Sequence, residues 1–125
     1  VDATDVFRAA SRHFDVPFRR HARFSVRFEV ARADGVVIGQ TRDLSEGGML
    51  MSSTHAVSVG ESLLVDVVLG DGVDKPLRVR CSVLHVEGQL PAPLLASIQF
   101  VRLRGEEHRR LALYLEKLRG ERGPA

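Results

Sequence analysis

The sequence predicts a mainly β domain of six or seven short antiparallel strands, followed by one C-terminal helix. Apolar and polar residues alternate through most of residues 24–101, and turn sequences containing glycine separate the alternating runs. An apolar stripe with helical spacing follows beyond residue 105. Short strands joined by tight turns are typical of a small β-barrel or a β-sandwich, and the pattern alone leaves both architectures open.

The length and composition indicate one soluble globular domain. The chain has 125 residues, of which 44% are hydrophobic and 27% charged, which is enough to enclose a single core. No apolar run approaches the ~20 residues of a membrane helix, and no secretory signal opens the chain. A single cysteine, Cys81, suits a reducing compartment. We therefore expect a cytoplasmic protein that does not insert into a membrane.

The first strands are predicted around a hairpin turn at Asp34-Gly35. Residues 24–30 alternate between apolar and polar side chains, which is the pattern of a strand with one buried face. An Asp-Gly pair tolerates positive φ at a tight turn, so a second strand is predicted over residues 36–42. A glycine pair then precedes a short apolar strand at residues 49–51, and residues 54–60 are predicted to form a loop.

The later strands are predicted on either side of a glycine-containing turn at residues 70–72. Residues 63–69 alternate before it, and apolar residues occupy every second position over residues 77–83 after it. The apolar phase slips at residues 83–84, which predicts either a β-bulge or a strand that bends across two sheets. A last strand is predicted over residues 95–101.

The C-terminal helix is predicted from acidic residues in its first turn, basic residues in its last turn, and Gly120, which should end it. Its apolar stripe has the i, i+3, i+4, i+7 spacing of a core-packing helix: Leu111, Tyr114, Leu115 and Leu118. The tail, residues 120–125, is expected to fray. At the other end, residues 1–16 are predicted to be an extension with a short helix over residues 5–14.

An arginine cluster lies where this extension meets the first predicted strand. Arg19, Arg20 and Arg23 lie within five positions of one another. Guanidinium groups suit bidentate contact with phosphate or with the O6 and N7 edge of guanine, and they also stack flat on a base. Taken alone, such a cluster is usually a solvated surface.

One hairpin later, Asp43, Ser45 and Gly48 form a D-x-S-x-x-G motif at a predicted strand end, with Gly47 at one of its variable positions. An aspartate there can accept hydrogen bonds from N1 and N2 of guanine, while the small residues allow close approach of the backbone and expose amide donors. Alone, this motif is an ordinary turn. The two motifs together predict a site for a flat, doubly anionic ligand with guanine edges.

The two motifs, in this order, resemble those of the PilZ domain family, the bacterial receptor module for cyclic di-GMP. Arg19 and Arg23 match its R-x-x-x-R motif, and Arg20 matches the arginine often found beside the first of them. Asp43, Ser45 and Gly48 match its D-x-S-x-x-G motif. Residues 95–100 resemble the family's late strand, and the resemblance covers roughly residues 17–119. It implies a six-stranded antiparallel β-barrel with a C-terminal α-helix.

The resemblance also implies a non-catalytic receptor without metal or cofactor. The implied cyclic di-GMP-binding residues are Arg19, Arg20, Arg23, Asp43, Ser45, Gly47 and Gly48. Closure of the arginine linker over the nucleotide would then alter contacts with a protein partner or a neighbouring domain.

Two other functions remain open, and enzymatic activity has no support. The chain could be a PilZ-fold protein-interaction module that does not bind the nucleotide. A small nucleic-acid-binding barrel is disfavoured because few aromatic residues are expected at the surface, so we expect no nucleic acid polymer as a partner. The sequence has no G-x-S-x-G, H-E-x-x-H or Walker A motif, and its histidines lack metal-ligand spacing.

Overall fold

The computed structural model describes residues 23–122, which form seven β-strands and one α-helix. The elements are β1 (Phe24–Ser25), β2 (Glu29–Arg32), β3 (Val37–Leu44), β4 (Gly48–Ser53), β5 (Ser62–Val67), β6 (Leu77–Glu87), β7 (Leu94–Val101) and α1 (Gly105–Arg122). The predicted N-terminal helix over residues 5–14 lies outside the described residues.

Six of the strands close into an antiparallel barrel. Neighbouring strands follow the order β2-β3-β4-β7-β6-β5, and β5 pairs again with β2. The remaining strand, β1, is an outer strand that pairs with the end of β3, where Phe24 lies opposite Leu44. The predicted six-stranded barrel with a C-terminal helix is therefore confirmed, and the sandwich is excluded.

The barrel core consists of the apolar side chains that alternate with polar ones along the strands, most clearly in β6. Leu77, Val79, Cys81 and Val83 are all at most 3% exposed, while Arg78 and Arg80 between them face solvent. Full burial of one aliphatic side chain contributes roughly 1.5–3 kcal/mol. The predicted bulge is also confirmed, because the register of β6 on β7 shifts between Val83 and His85.

The segment predicted as one strand over residues 24–30 is interrupted. β1 ends at Ser25 and β2 begins at Glu29. The segment between these two strands is held by Thr41 of β3. The Thr41 hydroxyl donates to the carbonyl oxygen of Val26 at 2.6 Å and accepts from the amide of Phe28 at 2.8 Å. A buried hydroxyl thus takes the place of ladder hydrogen bonds, so the chain can bend here with its polar groups satisfied.

The helix α1 packs against the barrel through its predicted stripe. Leu111, Leu115 and Leu118 are buried, and Tyr114 is partly buried with its ring 5.7 Å from that of Phe28. The predicted end at Gly120 is wrong, because the helix continues to Arg122 and Gly120 does not adopt positive φ. No helix within residues 23–122 has the length and apolar character needed to span a membrane.

Candidate functional site

The described part of the candidate site lies where β1 meets the end of β3. Arg23 directly precedes β1, and Ser25 of that strand pairs with Asp43. This register brings the two sequence motifs together: Arg23 Nη1 lies 3.9 Å from Asp43 Oδ2. The arginine side chain is 30% exposed and the aspartate side chain 11% exposed. A partly covered ion pair therefore joins residues that are twenty positions apart in the sequence.

A second β-bulge, which the sequence did not reveal, orients Asp43. Thr41 pairs with Met51 and Asp43 with Leu50, so Arg42 is the extra residue in β3. Bulges often redirect side chains beside functional sites. Leu44 belongs to the core, and successive side chains of a strand point to opposite faces. Asp43 therefore faces the outside of the barrel, towards Arg23.

Ser45 organises the turn between β3 and β4. Its hydroxyl oxygen accepts hydrogen bonds from the amides of Gly47 and Gly48, each at 3.2 Å. Its own amide donates to the carbonyl oxygen of Gly48 at 2.9 Å, and the whole residue is buried. The structure differs here from the expectation that the glycine amides are exposed to a ligand, because both are directed at the serine hydroxyl.

The same turn is attached to the last strand and lies beside the helix. The amide of Phe100 donates to the carbonyl oxygen of Gly47 at 2.9 Å, and Gly48 pairs with Gln99 in the β4–β7 ladder. The carboxylate of Glu46 lies 4.0 Å from Nε2 of His108, in the first turn of α1. The motif turn is thus in contact with both elements that end the domain.

The structure brings together Arg23, Asp43 and the turn of Ser45, Gly47 and Gly48, whereas Arg19 and Arg20 lie outside the described residues. Sequence reasoning missed Thr41, which fixes the segment between β1 and β2. The signal that could have revealed Thr41 is a small polar residue within β3, a strand whose inward-facing residues are otherwise mostly apolar. No group of histidine, cysteine, aspartate and glutamate side chains within residues 23–122 is arranged to hold a metal ion.

The sequence matches the PilZ domain over residues 9–117, which is most of the chain. The chain belongs to the PilZ domain family. No match was found among curated proteins.

Three solved structures have a similar fold. The inhibitor of motility MotI/DgrA from Bacillus subtilis is 14% identical with a TM-score of 0.68, covering 82% of this chain and 51% of that one. The PilZ domain of YcgR from Escherichia coli, solved with c-di-GMP, is 17% identical with a TM-score of 0.61. The match covers 83% of this chain and 96% of the YcgR domain. MrkH from K. pneumonia, in its complex with c-di-GMP, is 22% identical with a TM-score of 0.66. The match covers 83% of this chain and 53% of the MrkH chain. This chain therefore spans about half the length of MotI and of MrkH.

Proposed function

We propose that this domain is a non-catalytic receptor for cyclic di-GMP. The contact between Arg23 and Asp43 carries the proposal, because it joins one residue from each motif at the outer face of the barrel. Membership of the PilZ family supports it, as do the two structural neighbours that contain c-di-GMP.

The two side chains offer complementary recognition of guanine. The Asp43 carboxylate can accept hydrogen bonds from N1 and N2, whereas the Arg23 guanidinium can donate to O6 and N7 or to a phosphate. Asp43 is only 11% exposed, and a hydrogen bond in such partly covered surroundings is stronger than one in water. We infer that Arg19 and Arg20 supply further contacts to the phosphates and bases.

Ser45, Gly47 and Gly48 contribute in a different way. Since the serine hydroxyl is occupied by the two glycine amides, we infer that Ser45 holds the turn and thereby positions Asp43, two residues earlier. Gly47 adds no side chain to the partly exposed turn, which leaves the nucleotide room to approach the backbone there, whereas Gly48 is buried at the start of β4.

Binding is proposed to draw the arginine segment over the nucleotide and to alter the surface that the domain presents to a protein partner or neighbouring domain. A ligand shifts such an equilibrium only by its difference in affinity for the two arrangements. A route for the change is available, because the motif turn contacts β7 through Gly47 and lies beside α1 through Glu46.

The proposal is tested by calorimetric titration of cyclic di-GMP into the purified chain, with Arg23→Ala and Asp43→Asn in parallel. A hydrogen bond to a charged group contributes about 1.5–3 kcal/mol, so each variant should weaken binding by about ten- to a hundredfold. The fitted stoichiometry gives the number of nucleotides per domain. Cyclic di-AMP, which lacks the guanine edge, should bind much more weakly.

The matched control is Arg119→Ala, which removes the same charge from an exposed position on α1 and should leave the affinity unchanged. If the folded wild-type protein gives no saturable heat with cyclic di-GMP, or if Arg23→Ala binds as tightly as wild type, the proposal is wrong. The absence of binding would favour a PilZ-fold interaction module without nucleotide.

A further inference from the structure

A groove of about 420 Å³ lies between α1 and the loop that connects β5 to β6. None of its lining residues belongs to the arginine cluster or to the D-x-S-x-x-G motif. The groove is therefore a feature separate from the candidate nucleotide site, and its function can be considered independently.

A partly buried ion pair fixes the two walls of the groove relative to each other. Arg110 of α1 donates from Nε to Asp71 Oδ2 at 2.6 Å and from Nη2 to Asp71 Oδ1 at 3.0 Å. Both side chains are at most 15% exposed. Asp71 Oδ1 also accepts from the amide of Val73 at 3.2 Å, so the loop conformation is held as well. The groove is thus formed before any partner arrives, which lowers the entropy lost on binding.

Two apolar side chains in this groove remain open to solvent. Leu113 is 65% exposed in the middle of α1, and Val73 is 47% exposed in the loop. Tyr114 also lines the groove, with its ring packed on Phe28 inside. Single exposed apolar residues are common on protein surfaces. Here two of them line one preformed depression, and this is the arrangement that receives an apolar side chain in protein interfaces.

Cations flank the exposed leucine. Arg109 and Lys117 lie four residues before and four residues after Leu113, so they occupy the same face of α1 one turn away in each direction. Within residues 23–122, neither cation forms an ion pair. The lining carboxylates are Asp71, which is engaged by Arg110, and Glu106 at the start of the helix. The groove therefore presents an apolar centre between cations.

We propose that this groove docks a segment of a partner protein that presents a large apolar side chain with an aspartate or glutamate about one helical turn away. The apolar side chain would cover Leu113 and Val73, and the carboxylate would meet Lys117 or Arg109. The inference does not depend on nucleotide binding, because the groove and the motifs share no residue.

Selection from a phage-displayed library of random peptides tests this proposal. Immobilised wild-type protein is used without nucleotide, and peptides that also bind Leu113→Glu are discarded. We expect the recovered peptides to share an apolar residue with an acidic residue three or four positions away. Fluorescence anisotropy of one such peptide should show about tenfold weaker binding to Leu113→Glu and to at least one of Lys117→Glu and Arg109→Glu.

Charge reversal gives the sharpest measurement. A peptide whose acidic residue is replaced by lysine should lose affinity for the wild-type protein and regain it for Lys117→Glu or for Arg109→Glu, according to which of the two cations the carboxylate meets. Val59→Glu is the control, since Val59 is 64% exposed outside the groove and its replacement should change nothing. Thermal melting followed by circular dichroism verifies that each variant is folded. The proposal is overturned if no peptide depends on Leu113, if the recovered peptides lack acidic residues, or if charge reversal fails to restore binding.

Discussion

The Thr41 hydroxyl donates a 2.6 Å hydrogen bond to the carbonyl oxygen of Val26, fifteen residues earlier in the chain. The same oxygen accepts from the amide of Phe28, so one fully buried side chain holds the segment between β1 and β2. Arg23 immediately precedes β1, and its approach to Asp43 depends on β1 lying along β3. The stability of this junction and the geometry of the candidate site are therefore linked.

Replacing Thr41 with valine should destabilise the domain by about 1–3 kcal/mol, because the polar groups of Val26 and Phe28 lose their partner in a covered environment. Urea denaturation measures the free energy of unfolding. The affinity for cyclic di-GMP should fall as well, since β1 would be less firmly placed. Ser62→Ala is the control: Ser62 is exposed in β5, and its replacement should cost less than about 0.5 kcal/mol. Equal effects of the two variants would contradict the linking role of Thr41.

Ser45→Ala should weaken nucleotide binding and stability together. The substitution leaves the amides of Gly47 and Gly48 without their acceptor, at a cost of about 1–3 kcal/mol. Calorimetry with cyclic di-GMP and urea denaturation give the two quantities. Ser52→Ala, in the adjacent strand, removes a hydroxyl from a half-buried residue and should change neither by much. Loss of affinity at unchanged stability would instead indicate direct contact between Ser45 and the ligand.

The Asp71–Arg110 pair should make stability depend on pH in the acid range. The hydrogen bonds from Arg110 hold the pKa of Asp71 below its ordinary value of 3.8. Because the folded pKa is the lower one, the pair contributes fully above the unfolded pKa, and the contribution is lost as the pH falls through the folded pKa. At pH 7, Asp71→Asn should be less stable than wild type by about 1–3 kcal/mol.

This difference should begin to shrink as the pH is lowered below about 4, where the carboxylate of the unfolded chain becomes protonated, and it should be lost once the pH is below the folded pKa. Urea denaturation of both proteins at several pH values provides the test. Asp74→Asn, an exposed neighbour in the same loop, should follow the wild-type curve. The titration of Asp71 would be ruled out as the cause if the two proteins differed in free energy of unfolding by the same amount at all pH values.

Cys81 should be inert in the native protein. It is fully buried in β6, and burial raises the pKa of its thiol to about 12, so almost no thiolate is present at pH 8. We expect mass spectrometry to show no alkylation by iodoacetamide in native buffer and one modification per chain in urea. Val59→Cys supplies an exposed thiol as a positive control. Rapid labelling of Cys81 in the native state would show that the core opens readily.

Alternation of side chains was sufficient to predict β6 and its bulge, because both follow from which residues face the core. The same alternation wrongly predicted a continuous strand through residues 25–29. The conformation there depends on a hydrogen bond from the hydroxyl of Thr41, which belongs to another strand. The end of α1 was also predicted wrongly. A glycine stops a helix only when the chain there adopts positive φ, and no local signal determines whether Gly120 does so.

For the candidate site, the motifs indicated which residues to consider but not how they meet. The distance between Arg23 and Asp43 is set by the register of β1 on β3, which is a property of the folded sheet. The orientation of the Ser45 hydroxyl depends on the conformation of a short turn, and the sequence is compatible with an inward or an outward direction. The motifs therefore predicted the candidate residues, while strand pairing determined how the described ones are arranged.

The pairing of β5 with β2 has a consequence for how this domain behaves in a crowded solution. Among residues 23–122, the only strand with a neighbouring strand on one side alone is β1, and it is two residues long. Proteins with long open edges tend to self-associate by adding strands to one another, and some recruit peptides in the same way. This barrel offers too little backbone for either process. The described strands therefore give a partner protein little backbone to pair with, which favours recognition of such a partner through side chains.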